Sequence, residues 1–203
     1  MRNYYLKLRI ILLLTGILIS RVSFCAGNSG LKADFVRGRV CWKTSAGSPF
    51  ELKPGALIES SDLTIFTYFD GQCFLKYNQT GEIRLKEDAV LVVKYPEKVE
   101  IRKGTIGLRN IEGELKVETP HVKLHLSNGI IVVKTNPVLT RVCVIKGTVK
   151  LLTIDESSST IVRAGKEFAA AKNIYSKLYE FTDELRYTWY WVEAAKEPSL
   201  QLE

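Results

Sequence analysis

The stretch that decides the fold is Val117-Glu-Thr-Pro-His-Val-Lys-Leu-His-Leu-Ser-Asn-Gly-Ile-Ile-Val-Val-Lys-Thr135, continued through Arg141-Val-Cys-Val-Ile-Lys-Gly-Thr-Val-Lys-Leu-Leu152 to Ala169. Short apolar or alternating runs are separated by turn residues, and Gly129, Gly147 and Gly165 recur at equal intervals of 18 residues. A chain that turns back so steadily, with no long helical run, reads as stacked rungs or hairpins of an all-β domain. The functional expectation is therefore binding, not the chemistry of an α/β fold.

Upstream the pattern persists. Glu82-Ile-Arg-Leu-Lys86, Lys98-Val-Glu-Ile-Arg102 and Glu114-Leu-Lys-Val-Glu118 alternate polar with apolar, as strands with one wet face do. Leu63-Thr-Ile-Phe66, Ala89-Val-Leu-Val-Val93, Ile130-Ile-Val-Val133 and Val142-Cys-Val-Ile145 are apolar on both faces and are expected to be covered twice. Turns are expected at Ser48-Pro49, Pro54-Gly55, Asp70-Gly71, Tyr77-Asn-Gln-Thr-Gly81, Ser127-Asn-Gly129, Thr135-Asn-Pro137 and Asp155-Glu-Ser-Ser-Ser159. Val99-Glu-Ile-Arg-Lys-Gly-Thr-Ile-Gly-Leu108 resembles Val142-Cys-Val-Ile-Lys-Gly-Thr-Val-Lys-Leu151, each an apolar strand, a Lys-Gly-Thr turn and a second apolar strand. Such a unit cannot cover its own apolar face, which implies stacking of neighbours.

The N-terminus reads as a secretory signal over residues 1–26. Arg2, Lys7 and Arg9 precede the uncharged run Ile10-Ile-Leu-Leu-Leu-Thr-Gly-Ile-Leu-Ile19, and small residues follow around Ser23-Phe-Cys-Ala-Gly27. A membrane span needs about 20 apolar residues, and polar Ser20 and charged Arg21 end this run early. Cys25 raises a second outcome, a lipid-modified cysteine at the mature terminus, although bulky Phe24 before it fits poorly. Removing the signal takes four of the 29 basic residues (Arg2, Lys7, Arg9 and Arg21) and none of the 22 acidic ones, leaving an excess of +3. With those charges interspersed along the sequence, nucleic acid is not the expected partner. A membrane is expected only if Cys25 is lipidated. The remaining length suits one domain with a proper core.

Cys41, Cys73 and Cys143 sit inside apolar runs and read as small buried hydrophobes. In an oxidising compartment a Cys41 to Cys73 bridge is the alternative. Near the C-terminus, Ile174, Leu178, Phe181, Leu185, Trp189 and Val192 recur at helical intervals, so an amphipathic helix over 174–196, or a shorter one capped at Thr182-Asp-Glu184, followed by a tail over 197–203, is expected to dock on the β domain. Tyr187, Tyr190 and Trp191 would lie on its other face. They form either a partner-binding surface or a second packed face.

From Gly38-Arg-Val40 through Leu52-Lys-Pro-Gly-Ala-Leu57, Leu63-Thr-Ile-Phe-Thr67, Glu118-Thr-Pro120, Val142-Cys-Val-Ile-Lys-Gly-Thr-Val149 and Val162-Arg-Ala-Gly165, about 130 residues, the chain resembles the FecR domain family. The resemblance implies a bacterial extracytoplasmic, β-rich, solenoid-like domain used for sensing and protein-protein contact, and it brings no catalytic residues. The chain departs from the family pattern at Ser127-Asn-Gly-Ile-Ile-Val-Val133, where a Gly-Thr and an apolar strand are usual. Family members that regulate sigma factors carry a cytoplasmic domain ahead of a membrane helix, whereas five residues precede Leu6-Lys-Leu8 here, so direct anti-sigma action is not expected.

No G-x-G-x-x-G, G-x-x-x-x-G-K-[ST], H-E-x-x-H, G-x-S-x-G or C-x-x-C pattern occurs. His121 and His125 are four apart on an expected strand, which separates them by about 13 Å. That is too far for one zinc with ligands near 2.1 Å, and both are expected to face solvent. The acidic pairs Glu87-Asp88 and Asp155-Glu156 fall in turns and give a glycosidase-like reading no positive support. No catalytic residue, metal or cofactor is therefore expected. The chain reads as an exported all-β domain over 31–170, a β-solenoid or twisted β-sandwich with one C-terminal helix, that binds another envelope protein. A structural envelope component or lipoprotein is the second reading, and a carbohydrate-active β-solenoid enzyme the third.

Overall fold

The architecture follows from three long strands whose inward-facing residues change parity halfway along. Inward positions are Val99 and Ile101 and then Ile106 and Leu108 in one strand, Leu124 and Leu126 and then Ile131 and Val133 in the next, and Val142 and Val144 and then Val149 and Leu151 in the third. Side chains alternate faces at every residue of a strand, so keeping both halves turned to one core requires an irregularity where the parity changes. Each change falls at a glycine segment: Lys103-Gly104, Ser127-Asn-Gly129 and Lys146-Gly147. Gly104 and Gly147 take positive φ, 96° and 81°, a conformation that costs glycine little.

The structure, a computed structural model, describes residues 30–60, 62–77, 81–94, 98–171 and 189–190, and the backbone of 174–180. Its strands are β1 (Leu31–Arg37), β2 (Val40–Thr44), β3 (Phe50–Glu51), β4 (Leu57–Ile58), β5 (Asp62–Thr67), β6 (Gln72–Tyr77), β7 (Gly81–Leu85) and β8 (Val90–Lys94). They continue as β9 (Lys98–Asn110), β10 (Leu115–Glu118), β11 (Lys123–Thr135), β12 (Leu139–Leu152), β13 (Ser159–Arg163), β14 (Lys166–Ala171) and β15 (Ile174–Glu180). All belong to one 15-stranded hydrogen-bonded sheet.

That sheet folds over at the bends of β9, β11 and β12. In the first layer β4, β1, β6 and β7 lead to the second half of β9, the second half of β11, the first half of β12, β14 and β15. In the second, β3, β2, β5 and β8 lead to the first half of β9, β10, the first half of β11, the second half of β12 and β13. One hydrophobic core joins both layers, from Leu75, Ile83 and Ile131 on one side to Leu63, Leu91 and Leu124 on the other. The all-β expectation holds, and of the two architectures expected this arrangement is the sandwich-like one.

Several expectations need correction. The Lys-Gly-Thr segments at 103–105 and 146–148, and Ser127-Asn-Gly129, are bends inside continuous strands and not the turns expected, because each strand pairs with new neighbours on either side of the bend. Residues 174–180 form strand β15 along the edge of β14, with Phe168 opposite Leu178 and Ala171 opposite Ile174. The expected helix therefore does not begin at Ile174: an unpaired edge strand offers the segment a ladder of backbone hydrogen bonds, and Ile174, Tyr175 and Tyr179 suit a strand as well as a helix. Within the expected span, Trp189 and Tyr190 are helical. The signal segment with Cys25, Tyr187, Trp191 and the 197–203 tail lie outside the described residues.

Candidate interaction site

On the outer face of the first layer, register places Phe74, Arg84, Gly107, Val132, Cys143 and Glu167 side by side across β6, β7, β9, β11, β12 and β14. Gly107 sits in the middle of this row. A strand interior with no side chain leaves a notch and often marks a close approach, and here the approaching group is the indole of Trp189: a methyl group at position 107 would come within 2.9 Å of Trp189 Cε3. Val132 and Cys143, both fully buried, form the floor together with partly buried Ile130 and Ile145.

Arg84 holds the indole in place. Its guanidinium lies 3.9 Å from the centre of the Trp189 ring and 5.2 Å from that of Phe74, and its Nη1 donates to the Trp189 carbonyl. A cation sandwiched between two rings and largely removed from water gains more from cation–π attraction than an exposed one. Glu82 accepts from Arg84 and from Arg109, each at 3.2 Å, which anchors the guanidinium from its other side. At the far end of the row Arg141 Nε donates to Glu167 at 2.5 Å. Trp189 is 5% exposed in this setting, while its neighbour Tyr190 is 47% exposed. The segment is thus fixed by one aromatic ring and presents the next to solvent.

The sequence reading placed Trp189 in the docking stripe and Tyr190 on the other face, and Trp189 is buried while Tyr190 is exposed. It did not single out Gly107 or Arg84. The signal for Gly107 was present, a glycine inside the apolar run Thr105-Ile-Gly-Leu108, but the partner that fills the notch lies 82 residues away, from 107 to 189.

A second concavity, about 600 Å³, lies at the corner where β2 and β3 meet the turns after β1 and β5. Gly38, Arg39, Cys41, Pro49, Glu51 and Tyr68 line it, with the Arg39 guanidinium 4.2 Å from the Tyr68 ring centre. Phe69, 87% exposed, follows Tyr68 in the same turn.

Cys41, Cys73 and Cys143 are free, buried thiols, so the Cys41 to Cys73 bridge does not form in this structure. Cys73 is interior to the core while Cys41 opens on the corner cleft on the other layer. Burial pushes the Cys143 thiol up to about 12, with Glu167 opposing ionisation further and Arg141 favouring it, and burial raises the Cys73 thiol as well. These are packing residues, not poised nucleophiles.

The histidines part company. His125 is on β11 and meets Glu114 at 3.0 Å. His121, expected to face solvent, is instead buried in the β10 to β11 turn, where Nδ1 meets Thr140 Oγ1 at 2.9 Å and Nε2 meets the Pro137 carbonyl at 3.2 Å. Thr119, Thr135 and Thr140 complete that network, because a buried imidazole needs partners for both nitrogens. The acidic pairs are held in structural contacts: Glu87 by Gln72, Asp88 by Lys103, Asp155 by Thr153 and Ser157, and Glu156 by Lys123. The Thr153 and Ser157 hydrogen bonds bring the Asp155 carboxyl down to about 2.

No family model matches the chain, and no curated protein sequence matches it significantly. Among solved structures it is similar to two crystal structures of a "putative anti-sigma factor" from Parabacteroides distasonis, each with a TM-score of 0.52. Identity is 12% and 13%, and each match covers 64% of this chain. The chain spans 63% and 64% of those proteins' length. At this identity the similarity establishes a shared fold.

Proposed function

We propose that the protein is an exported, non-enzymatic binding and sensing module of the bacterial cell envelope that acts through protein-protein contact. The observation that supports this reading is the contrast within the C-terminal segment: Trp189 is packed into the Gly107 notch beside Arg84, and Tyr190 next to it is exposed. An aromatic ring held on a rigid scaffold is the kind of group that dominates protein interfaces. Two further observations support it. Among the described residues, the carboxylate pairs Glu87-Asp88 and Asp155-Glu156 are tied into turns and ion pairs. The fold is shared with a protein described as an anti-sigma factor, which fits a regulatory role, and the FecR-like motifs point the same way.

Export rests on the signal-like residues 1–26. The lipoprotein reading rests on Cys25 alone, and intact mass separates the two: a mature chain starting between Ala26 and Ser29 supports cleavage, a diacyl mass on Cys25 supports anchoring, and retention of Met1 to Ser20 contradicts both. The contact itself is tested by crosslinked capture from native envelope. Tyr190→Ala is expected to lose the partner that the wild-type protein captures, with thermal stability unchanged, and an undiminished partner yield would refute the surface.

A further inference from the structure

A strand at the edge of a sheet offers unpaired backbone groups to any other strand, and proteins blunt such edges by keeping them short or by placing charges or proline on them. Edge strands β3 and β4 span two residues each, and β15 carries Lys177 and Glu180. Strand β13, which ends the second layer, has neither protection over Ser159-Thr-Ile-Val162: the run is uncharged, holds no proline and has β-branched residues at its last three positions. Among the described residues β13 pairs with β12 alone.

The bonds at the two ends of β13 decide which of its backbone groups face outward. Thr153 N–H donates to the Ser158 carbonyl and Ala164 N–H donates to the Gly147 carbonyl, each at 3.0 Å. Hydrogen-bonded positions alternate along an antiparallel pair, so Thr160 and Val162 also bond to β12, and Ser159, Ile161 and Arg163 turn their N–H and C=O groups away from it. All three are exposed. Val162 is in the core, which puts Ile161 on the outer face beside Lys150, and its side chain is 64% exposed there.

We propose that this edge pairs with the same edge of a second copy of the chain, antiparallel about a two-fold axis at Ile161. That register sets Ile161 opposite Ile161, Ser159 opposite Arg163 and Thr160 opposite Val162. The three outward-turned residues then meet where an antiparallel pair exchanges both backbone hydrogen bonds, so the strand is its own complement. Such an isologous contact closes on itself and leaves no edge for a third chain. Charge and strand length select the axis. Centring the pair on Arg163 would oppose two like charges, which destabilises a sheet, and centring it on Ser159 would set Ile161 against Ser157, outside the strand. About Ile161 the two Lys150 side chains stand three strand spacings apart, about 14 Å, beyond the screening length of about 8 Å in physiological salt. The proposal does not rest on the Tyr190 contact.

Disulfide mapping on the full chain tests the register. On mild oxidation Ile161→Cys is expected to form a reducible dimer that the wild type does not, since opposed hydrogen-bonded residues lie about 5.5 Å apart at Cα, within disulfide reach. Ser159→Cys alone and Arg163→Cys alone should give none, because four residues of strand separate each from its copy by about 13 Å, whereas a mixture of the two variants should cross-link. In sedimentation velocity without oxidant, the chain should self-associate, Ile161→Lys should weaken that association at least tenfold by opposing two charges at the axis, and Val138→Lys, at a 73% exposed position off β13, should change it less than twofold. All these positions are exposed, and an unchanged melting temperature at dilution verifies folding. A chain that stays monomeric, Ser159→Cys cross-linking to itself as readily as Ile161→Cys, equal loss in both lysine variants, or adducts of Ile161→Cys with another protein in place of a second copy would overturn the proposal.

Discussion

Trp189 and Tyr190 are adjacent in sequence and opposite in consequence. Burial of the Trp189 indole against Val132, Cys143 and the Gly107 notch means that Trp189→Ala removes a large packed ring, for a loss of about 3–5 kcal/mol. Tyr190→Ala, at an exposed position, should change stability by about 0.5 kcal/mol or less. Thermal denaturation of the two variants checks the contrast, and equal losses would mean that Tyr190 is packed as deeply as its neighbour. The same socket shields Cys143. Its folded-state thiol is raised from 9.0 to about 12, so between those values the unfolded chain sheds a proton that the folded chain keeps. Stability from this thiol is therefore full below pH 9 and declines as pH rises toward 12, by up to about 1.4 kcal/mol per pH unit. Chemical denaturation at stepped alkaline pH should show a shallower decline in Cys143→Ala than in the wild type.

At the scale of elements, the bends carry the fold. A Cβ at Gly147 would lie 2.2 Å from the Asn128 carbonyl oxygen, in a positive-φ conformation, and one at Gly104 would lie 2.5 Å from Ala89 Cα. Gly147→Ala and Gly104→Ala should each cost about 1–3 kcal/mol or more, because backbone and not a flexible side chain stands in the way. Gly55→Ala, also at positive φ but with nothing near, should cost less. Denaturant midpoints measure the difference, and equal costs at the three sites would show that backbone conformation alone sets the penalty. Here the sequence was informative about strands and misleading about connections. The period-two patterns located β7, β9 and β10, although the face of β7 expected to be wet is covered, since Arg84 is buried beneath Trp189. The glycines at 129 and 147 were legible as breaks, but a break that bends a strand and one that reverses it use the same residues. The strand β15 was hidden for a related reason, since Ile174, Leu178 and Tyr175 satisfy a helical spacing and a strand equally, and only the free edge of β14 decides.

For the whole molecule, one sheet folded onto itself produces two outer faces with different chemistry. The first-layer face carries the row Phe74, Arg84, Gly107, Val132 and Cys143, whose apolar floor at Val132 and Cys143 is covered by the chain's own Trp189. The second-layer face is wet, with ion pairs Arg102–Glu100, Lys98–Glu118 and Lys123–Glu156. Interspersed charges along the sequence argued against any concentrated electrostatic surface. The helical stripe at the C-terminus included Trp189, which is buried, although its first members, Ile174 and Leu178, lie on strand β15 and not on a helix.

The central claim, that the Trp189-anchored segment presents Tyr190 to a protein partner, is tested most directly by placing a photo-crosslinking amino acid at position 190 and irradiating the protein in native envelope. The same probe at position 138, where Val138 is 73% exposed between β11 and β12, serves as the comparison. The account predicts one discrete adduct at position 190, suppressed by excess wild-type protein and by Trp189→Ala in the probe-bearing chain, and no such adduct at position 138. No adduct at 190, or the same adducts at both positions, would contradict it.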